Sequence, residues 1–226
     1  MILIISPSKK LSRNIADTFH YMSILSYGAT PHEALSEISS IYKAALIVQP
    51  SDFPDITDYI NRVKSYKSNL PIFALAEPDY APIYDELFDK VFTKPTLTPS
   101  LAQKIIKYAN ENNMSRIGEY HIGGFNASSY LVGVTYFSTP VKFTKTEAMI
   151  LRYLAVSYPT PQSADMIIKY AFRANRAPEV SGIRTHISVM NSKLEKCINK
   201  KMITFVPSKG YIVMTPEYLH TQKYSK

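Results

Sequence analysis

Compact apolar runs and amphipathic stretches alternate along the first half of the chain. Ile2–Ile5, Ala44–Val48, Ile72–Ala76 and Val91–Phe92 read as short strands buried on both faces, with Ile24–Leu25 as a shorter one. Between them, Leu11–His20, His32–Ser39, Ile56–Ser65, Ala81–Phe88 and Ser100–Asn110 place apolar residues at helical spacing. Strands that alternate with helices predict a parallel sheet built from βα units, doubly wound. In such a sheet, function gathers at the carboxyl ends of the strands. Those ends are Ser6-Pro7-Ser8, Gln49-Pro50-Ser51-Asp52, Ala76-Glu77 and Thr93-Lys94-Pro95.

The second half has a different pattern. Tyr120–Ile122, Tyr130–Val134, Tyr136–Phe137 and Val141–Phe143 are β-like, punctuated by Gly123-Gly124, Asn126 and Ser138-Thr139-Pro140. Thr144-Lys145-Thr146-Glu147 spells a capping box, with Thr144 as N-cap and Glu147 reaching back. The helix it opens carries Ala148, Leu151, Leu154 and Ala155 and stops near Tyr158-Pro159. A second helix is predicted from Ser163 to Phe172. A third carries Ile183, Ile187, Met190, Leu194 and Ile198 as one buried stripe. Its other face shows Ser181, Arg184, Thr185, Ser188, Val189 and Ser192, small residues apart from one arginine. Ile203–Val206 and Tyr211–Met214 form a hairpin around Pro207-Ser208-Lys209-Gly210, where Gly210 can take a positive φ.

Charge separates the halves. Residues 1–114 hold 11 Lys and Arg against 12 Asp and Glu, whereas the remainder holds 15 against 6, so the formal +8 of the chain falls in its second half. Glu111-Asn112-Asn113-Met114-Ser115 lacks an apolar period and marks the joint. The expected division is therefore 1–110, a linker at 111–118, a second domain at 119–215 and a tail at 216–226. A 46% hydrophobic content supports a packed core and excludes wholesale disorder. No apolar run is long enough to span a bilayer, and Met1–Ile5 lacks a basic leader, so a cytoplasmic location is expected. A single cysteine, Cys197, excludes an internal disulfide framework and is expected as a buried small hydrophobe near the end of the core stripe. Five scattered histidines give no metal-ligand spacing, and neither a Gly-rich phosphate loop nor a Gly-x-Ser-x-Gly elbow occurs. No enzyme, cofactor or metal is expected.

The strand spacing, Phe53-Pro54-Asp55, and Asp89 followed by Thr93-Lys94-Pro95 resemble the receiver domain of bacterial response regulators. The resemblance implies a flavodoxin-like (βα)5 fold. It also implies a phosphorylation pocket, which this chain has lost. Receivers place an acidic pair where this chain has Ser6 and Pro7. The acceptor aspartate falls on Pro50, and the strand-four Thr or Ser on Ala76; Lys94 alone is retained. Phosphoryl transfer to a carboxylate needs that carboxylate and a metal, and Mg²⁺ wants carboxylate oxygens. The half is thus expected to be a pseudo-receiver. Asp52 is the one displaced acceptor to weigh; with Asp55 and Asp58 it also suits a solvated loop and helix start. In receivers a face built from the fourth helix, fifth strand and fifth helix dimerises, and Asp89 and Lys104 align with its charged positions.

Phe143-Thr144 with Glu147 and Ile150-Leu151, then His186-Ile187-Ser188, Lys193-Leu194, Val206 and Gly210-Tyr211 resemble the winged helix-turn-helix effector domain of the OmpR/PhoB family of transcriptional regulators. That resemblance implies double-stranded DNA as partner, a recognition helix in the major groove and a homodimer through the receiver-like half. RNA polymerase is a further partner of that kind; no membrane partner is implied, and a cognate histidine kinase loses its target. His186 and Tyr211 match phosphate-contacting positions. Phe172 stands where the family often has Trp, Ser181, Val189 and Asn191 where it often has Arg, and Pro207 where it has a wing Arg. Arg173, Arg176, Arg184, Lys193 and Lys209 are the cations left to grip DNA, with Thr185, Ser188 and Val189 on the same helix face. Two alternatives stay open on the residues: a conventional phosphorylation switch using Asp52, and a basic adaptor for RNA, membrane or protein.

Overall fold

The computed structural model describes residues 1–93, 99–112, 117–127, 134–172 and 178–215. These fall into two compact units, Met1–Ile117 and Gly118–Lys226.

The first unit is a five-stranded parallel sheet in the order β2-β1-β3-β4-β5. Its strands are β1 (Ile2–Ile5), β2 (Ser26–Ala29), β3 (Ala44–Val48), β4 (Ile72–Ala76) and β5 (Lys90–Thr93). Every residue of β1, β3 and β4 is buried, which is why their sequences are continuous apolar runs rather than alternating ones. The helices are α1 (Lys9–Tyr21), α2 (Pro31–Glu37), α3 (Ile56–Tyr66), α4 (Ala81–Tyr84) and α5 (Pro99–Glu111). Side chains start three of them: Ser8 caps α1, Asp55 caps α3, and Thr30 with Glu33 closes a capping box on α2.

The predicted strand at Ile24–Leu25 lies two residues later. Ile24 and Leu25 are buried, but the pairing with β1 runs over Ser26–Ala29. The strand is polar and small because α1 presses against it. A Cβ on Gly28 would stand 2.5 Å from the Ser12 backbone. Ser26 Oγ donates to Ala16 O at 2.8 Å, and buried His20 meets Ser26 O at 2.8 Å. Helix α4 is a single turn rather than the predicted eight residues. The Tyr84 carbonyl takes the amides of both Leu87 and Phe88, turning the chain towards β5 and burying Phe88 edge-on against Tyr84. The first unit also extends past the predicted boundary at residue 110. Asn110 exchanges two hydrogen bonds with the Ile117 backbone, and Ile117 is buried in the core beneath α5.

The second unit opens with a four-stranded antiparallel sheet, β6 (His121–Ile122), β7 (Phe125–Asn126), β8 (Val134–Tyr136) and β9 (Thr139–Val141), in sequential order. Three helices follow: α6 (Lys145–Ser157), α7 (Ala164–Ala171) and α8 (Val180–Ile198). The hairpin β10 (Ile203–Val206) and β11 (Gly210–Val213) closes the described unit. The predicted capping box forms: Thr144 Oγ1 accepts from Glu147 N, and Glu147 Oε2 accepts from Thr144 N at 2.7 Å. Buried Arg152 donates Nε to Ala127 O at 2.7 Å and lies over the Tyr120 ring, joining α6 to the chain after β7. Tyr130 lies outside the described residues. Among those described, no helix is long and apolar enough to cross a membrane.

Candidate nucleic-acid interface

Helix α8 forms because a single apolar stripe repeats at helical spacing. Ile183, Ile187, Met190 and Leu194 are buried, and Asn199 ends the helix in the left-handed region, its amide donating to Glu195 O. The opposite face, Ser181, Arg184, Thr185, Ser188, Val189 and Ser192, is exposed along its length. Five of these six side chains are short. A helix so faced can bring its backbone close to a flat polyanion, with Arg184 projecting beyond its neighbours.

The hairpin is fastened beside this face by two clamps. Asn191 is the first. Its Oδ1 accepts from the amides of Met202 and Ile203 at 3.1 and 3.0 Å, and its Nδ2 donates to Ile203 O at 2.6 Å. The second is a backbone bridge in which Gln162 N donates to Tyr211 O at 2.8 Å and Tyr211 N to Gln162 O at 2.7 Å. Gly210 makes that bridge possible. Its φ is +111°, and a Cβ there would lie 2.1 Å from Gln162 O. The glycine therefore serves close backbone approach as well as the turn. The Gln162 side chain faces inward, accepting from Tyr153 Oη at 2.7 Å.

Between α8 and the hairpin lies an open groove of about 480 Å³, bordered by Arg184, Ser188, Ser192, Lys201, Phe205 and Tyr211. Phe205 points outward, 58% exposed, with its ring 5.2 Å from that of Tyr211. Lys209 is exposed on the turn at the tip. Helix, groove and hairpin thus present cations at three places around a surface of hydroxyls and two aromatic rings.

Residues 138–213 match the protein family described as "Transcriptional regulatory protein, C terminal". This stretch has the winged helix-turn-helix fold. No curated protein matches the chain. Similar solved structures include one described as belonging to a novel family of redox sensors in the streptococci that evolved from two-component response regulators. It is 16% identical, covers 95% of this chain and 98% of its own, and has a TM-score of 0.40. The response regulator DrrB, a Thermotoga maritima OmpR/PhoB homologue, is 14% identical over 94% of this chain and 98% of its own, with a TM-score of 0.37. The DNA-binding domain of E. coli CadC is 16% identical over 44% and 94%, with a TM-score of 0.39.

The expected DNA-contacting residues divide three ways. Arg184, Thr185, Ser188, Val189 and Lys209 are exposed on the helix face and the turn, while His186 and Tyr211 are half-buried beside them. Arg173 and Arg176 lie outside the described residues. Lys193 turns inward: its Nζ is 2.6 Å from Oε2 of Glu147, whose side chain is only 3% exposed. The capping glutamate of α6 thereby also ties down α8. Cys197 is exposed, contrary to expectation. The buried stripe passes through Leu194 and leaves position 197 on the outer side of the last turn. Lys201 and Phe205 carry no mark in the sequence, and Asn191, which stands where an arginine is expected, shows there no sign of its hold on the hairpin. The adjacent buried positions Met190 and Leu194 were a signal that Asn191 borders the core, but its partners lie 11 and 12 residues away and carry no periodic mark.

Among the described residues of the first unit, the strand ends do not form a carboxylate pocket. Ser6 is buried and accepts from the Ser8 amide at 3.2 Å, Pro7 is exposed, and Ser8 is committed to the α1 cap. Pro50 begins a single 3₁₀ turn that ends at exposed Asp52. Ala76 is buried and offers no hydroxyl; Lys94 lies outside the described residues. Mg²⁺ would find a buried hydroxyl already in use, prolines and an alanine, so these residues do not fit the ion. Among the described residues, no three His, Cys, Asp or Glu side chains converge as a metal site. Asp89, expected on a dimer face, has partners within its own chain. Its Oδ2 accepts from Ile72 N at 2.7 Å and lies 3.5 Å from Lys64 Nζ. Lys104 is exposed on α5.

Proposed function

We propose that this protein is a transcription regulator that binds duplex DNA through α8 and the β10–β11 hairpin, acts without aspartyl phosphate, and works as a homodimer through its receiver-like unit. The observation that carries the reading is the exposed, short-side-chain face of α8 with Arg184, set beside a hairpin that ends in Lys209. It lies within the stretch that matches the transcriptional regulators. The helix suits a major groove, where each base pair shows its own donors and acceptors. Cations on the turn and at the groove rim release counterions from phosphates and supply affinity common to all sequences. Val189, 42% exposed, is suited to a thymine methyl. Independence from phosphate rests on Pro50 and on the lack of a carboxylate pair at Ser6 and Pro7.

The test of DNA binding is duplex affinity of the full chain against salt, with RNA and anionic vesicles as competitors. The expected result is steep weakening with salt and preference for duplex DNA. Salt-independent binding, or a preference for either competitor, overturns it. For the switch, incubation with Mg²⁺ and a small phosphodonor followed by intact-mass measurement is expected to show no adduct. An acid-labile phosphate on the chain would restore the conventional reading through Asp52.

A further inference from the structure

We infer that Arg184 is the specificity-determining residue of the interface and that it reads a guanine in the major groove; this rests on the DNA-binding proposal above. Four observations converge on it. Arg184 is the sole Lys or Arg among the six exposed residues of the α8 face. It is the fifth residue of the helix, in the N-terminal half, the part of a recognition helix that meets base edges. The residues one turn before and after it on the same face, Ser181 and Ser188, are both short and exposed. Nothing bulky there holds the helix away from the groove floor. No acidic side chain among the described residues forms an ion pair with it, so its guanidinium is not committed to any of them.

The chemistry of the target follows from the donor set. A guanidinium offers parallel N–H donors in a fixed fork and no acceptor. In the major groove, guanine alone presents two acceptors side by side, O6 and N7. Adenine pairs an acceptor with a donor, and a fork of donors meets repulsion there. The hydroxyls of Thr185, Ser188 and Ser192 both donate and accept, so they tolerate several bases and discriminate weakly. Two further exposed lysines lie on the hairpin side: Lys201 at the groove rim, its Nζ 3.5 Å from Glu195 Oε2 in a solvent-exposed pair, and Lys209 on the turn. Their flexible point charges suit phosphate oxygens. Discrimination therefore concentrates at one side chain, while affinity is shared among several.

The experiment begins by selecting bound sequences from a random duplex pool with the full-length protein. The selected half-site is expected to contain a strongly preferred guanine. Replacing that base by 7-deazaguanine, which lacks the N7 acceptor, is expected to weaken wild-type binding about ten-fold. Arg184→Lys, which keeps the charge and loses the fork, is expected to bind with nearly unchanged salt dependence but to respond little to the same replacement. Arg184→Ala should behave likewise, with lower affinity. The inference is overturned if 7-deazaguanine has no effect on the wild type. It is equally overturned if Arg184→Ala weakens all sequences alike and reduces the salt slope while the guanine preference persists, since Arg184 would then be a phosphate contact. In both cases the regulator reading stands. A wild-type protein that binds no duplex removes that reading first, and the guanine assignment with it.

Discussion

Glu147 shows how one side chain can serve two elements. It closes the α6 capping box, and it holds Lys193 of α8 from a nearly dry position. Removing the lysine strands a carboxylate, which costs more than removing the pair. Lys193→Met is therefore expected to lower stability by about 3 kcal/mol, and Lys193→Met with Glu147→Leu to recover part of that loss. Denaturant melts check both. If Lys193 were a DNA contact instead, the double variant would fold well and bind with a shallower salt slope. Glu33 gives a second measurement. Hydrogen bonds from the Lys9 ammonium and the Thr30 amide hold its carboxyl down at about 2, against an ordinary 4.5. A carboxyl with a depressed folded-state pKa stabilises fully above its unfolded value, and that stabilisation disappears as pH falls through the folded value. The Tm difference between wild type and Glu33→Gln is thus expected to be largest above about pH 5 and to close as pH falls from 4.5 towards 2.

The wing is an element that its own strands do not hold in place. A two-stranded hairpin is marginal alone, and here it is fixed by Asn191 from α8 and by Gln162 from the segment before α7. Asn191→Ala loses three hydrogen bonds and is expected to cost about 2–3 kcal/mol, with faster amide exchange at Met202 and Ile203 as its local signature. Gly210→Ala faces both a positive φ and a carbonyl where its Cβ must go. A loss on the order of 3 kcal/mol is expected, together with weaker duplex binding because the turn carrying Lys209 shifts. Duplex affinity unchanged by Gly210→Ala in a folded protein would argue that the wing does not touch DNA. In the first unit, Asp89 fastens the start of β4 to the start of β5. Asp89→Ala should therefore lower stability even where self-association is unaffected, and sedimentation alongside a melt separates the two effects.

For the molecule as a whole, the unit boundary makes the division of charge complete. With Arg116 counted in the first unit, residues 1–117 hold equal numbers of acids and bases. The entire +8 then belongs to Gly118–Lys226. That unit also carries the exposed α8 face and matches the transcriptional regulators over residues 138–213. For the proposed homodimer, with two lysines of each copy on phosphates, the expected slope of log affinity against log salt is about −4. Lys209→Ala is expected to flatten it by about 2 when both copies bind, without changing which sequence is preferred. The neutral first unit contributes little to that slope.

Much of this was legible in the residue order. The runs at β1, β3 and β4, the Thr144–Glu147 box and the α8 stripe are local patterns, and each declares its element without reference to distant residues. That Ser6, Pro7, Pro50 and Ala76 supply no carboxylate at these strand ends was equally plain, because side-chain chemistry does not depend on placement. The exposed face of α8 followed from the same periodicity that buried its stripe. What the residue order left undecided were the pairings between distant segments. Lys193 had the composition of a DNA cation until Glu147, 46 positions earlier, was found beside it. Asn191 had the appearance of a lost arginine and became the anchor of the wing. Gly28 and Gly210 owe their identities to backbones that approach from Ser12 and Gln162. Local sequence sets the periodicity of burial, whereas a side chain's hydrogen-bond partner depends on which elements packing brings together.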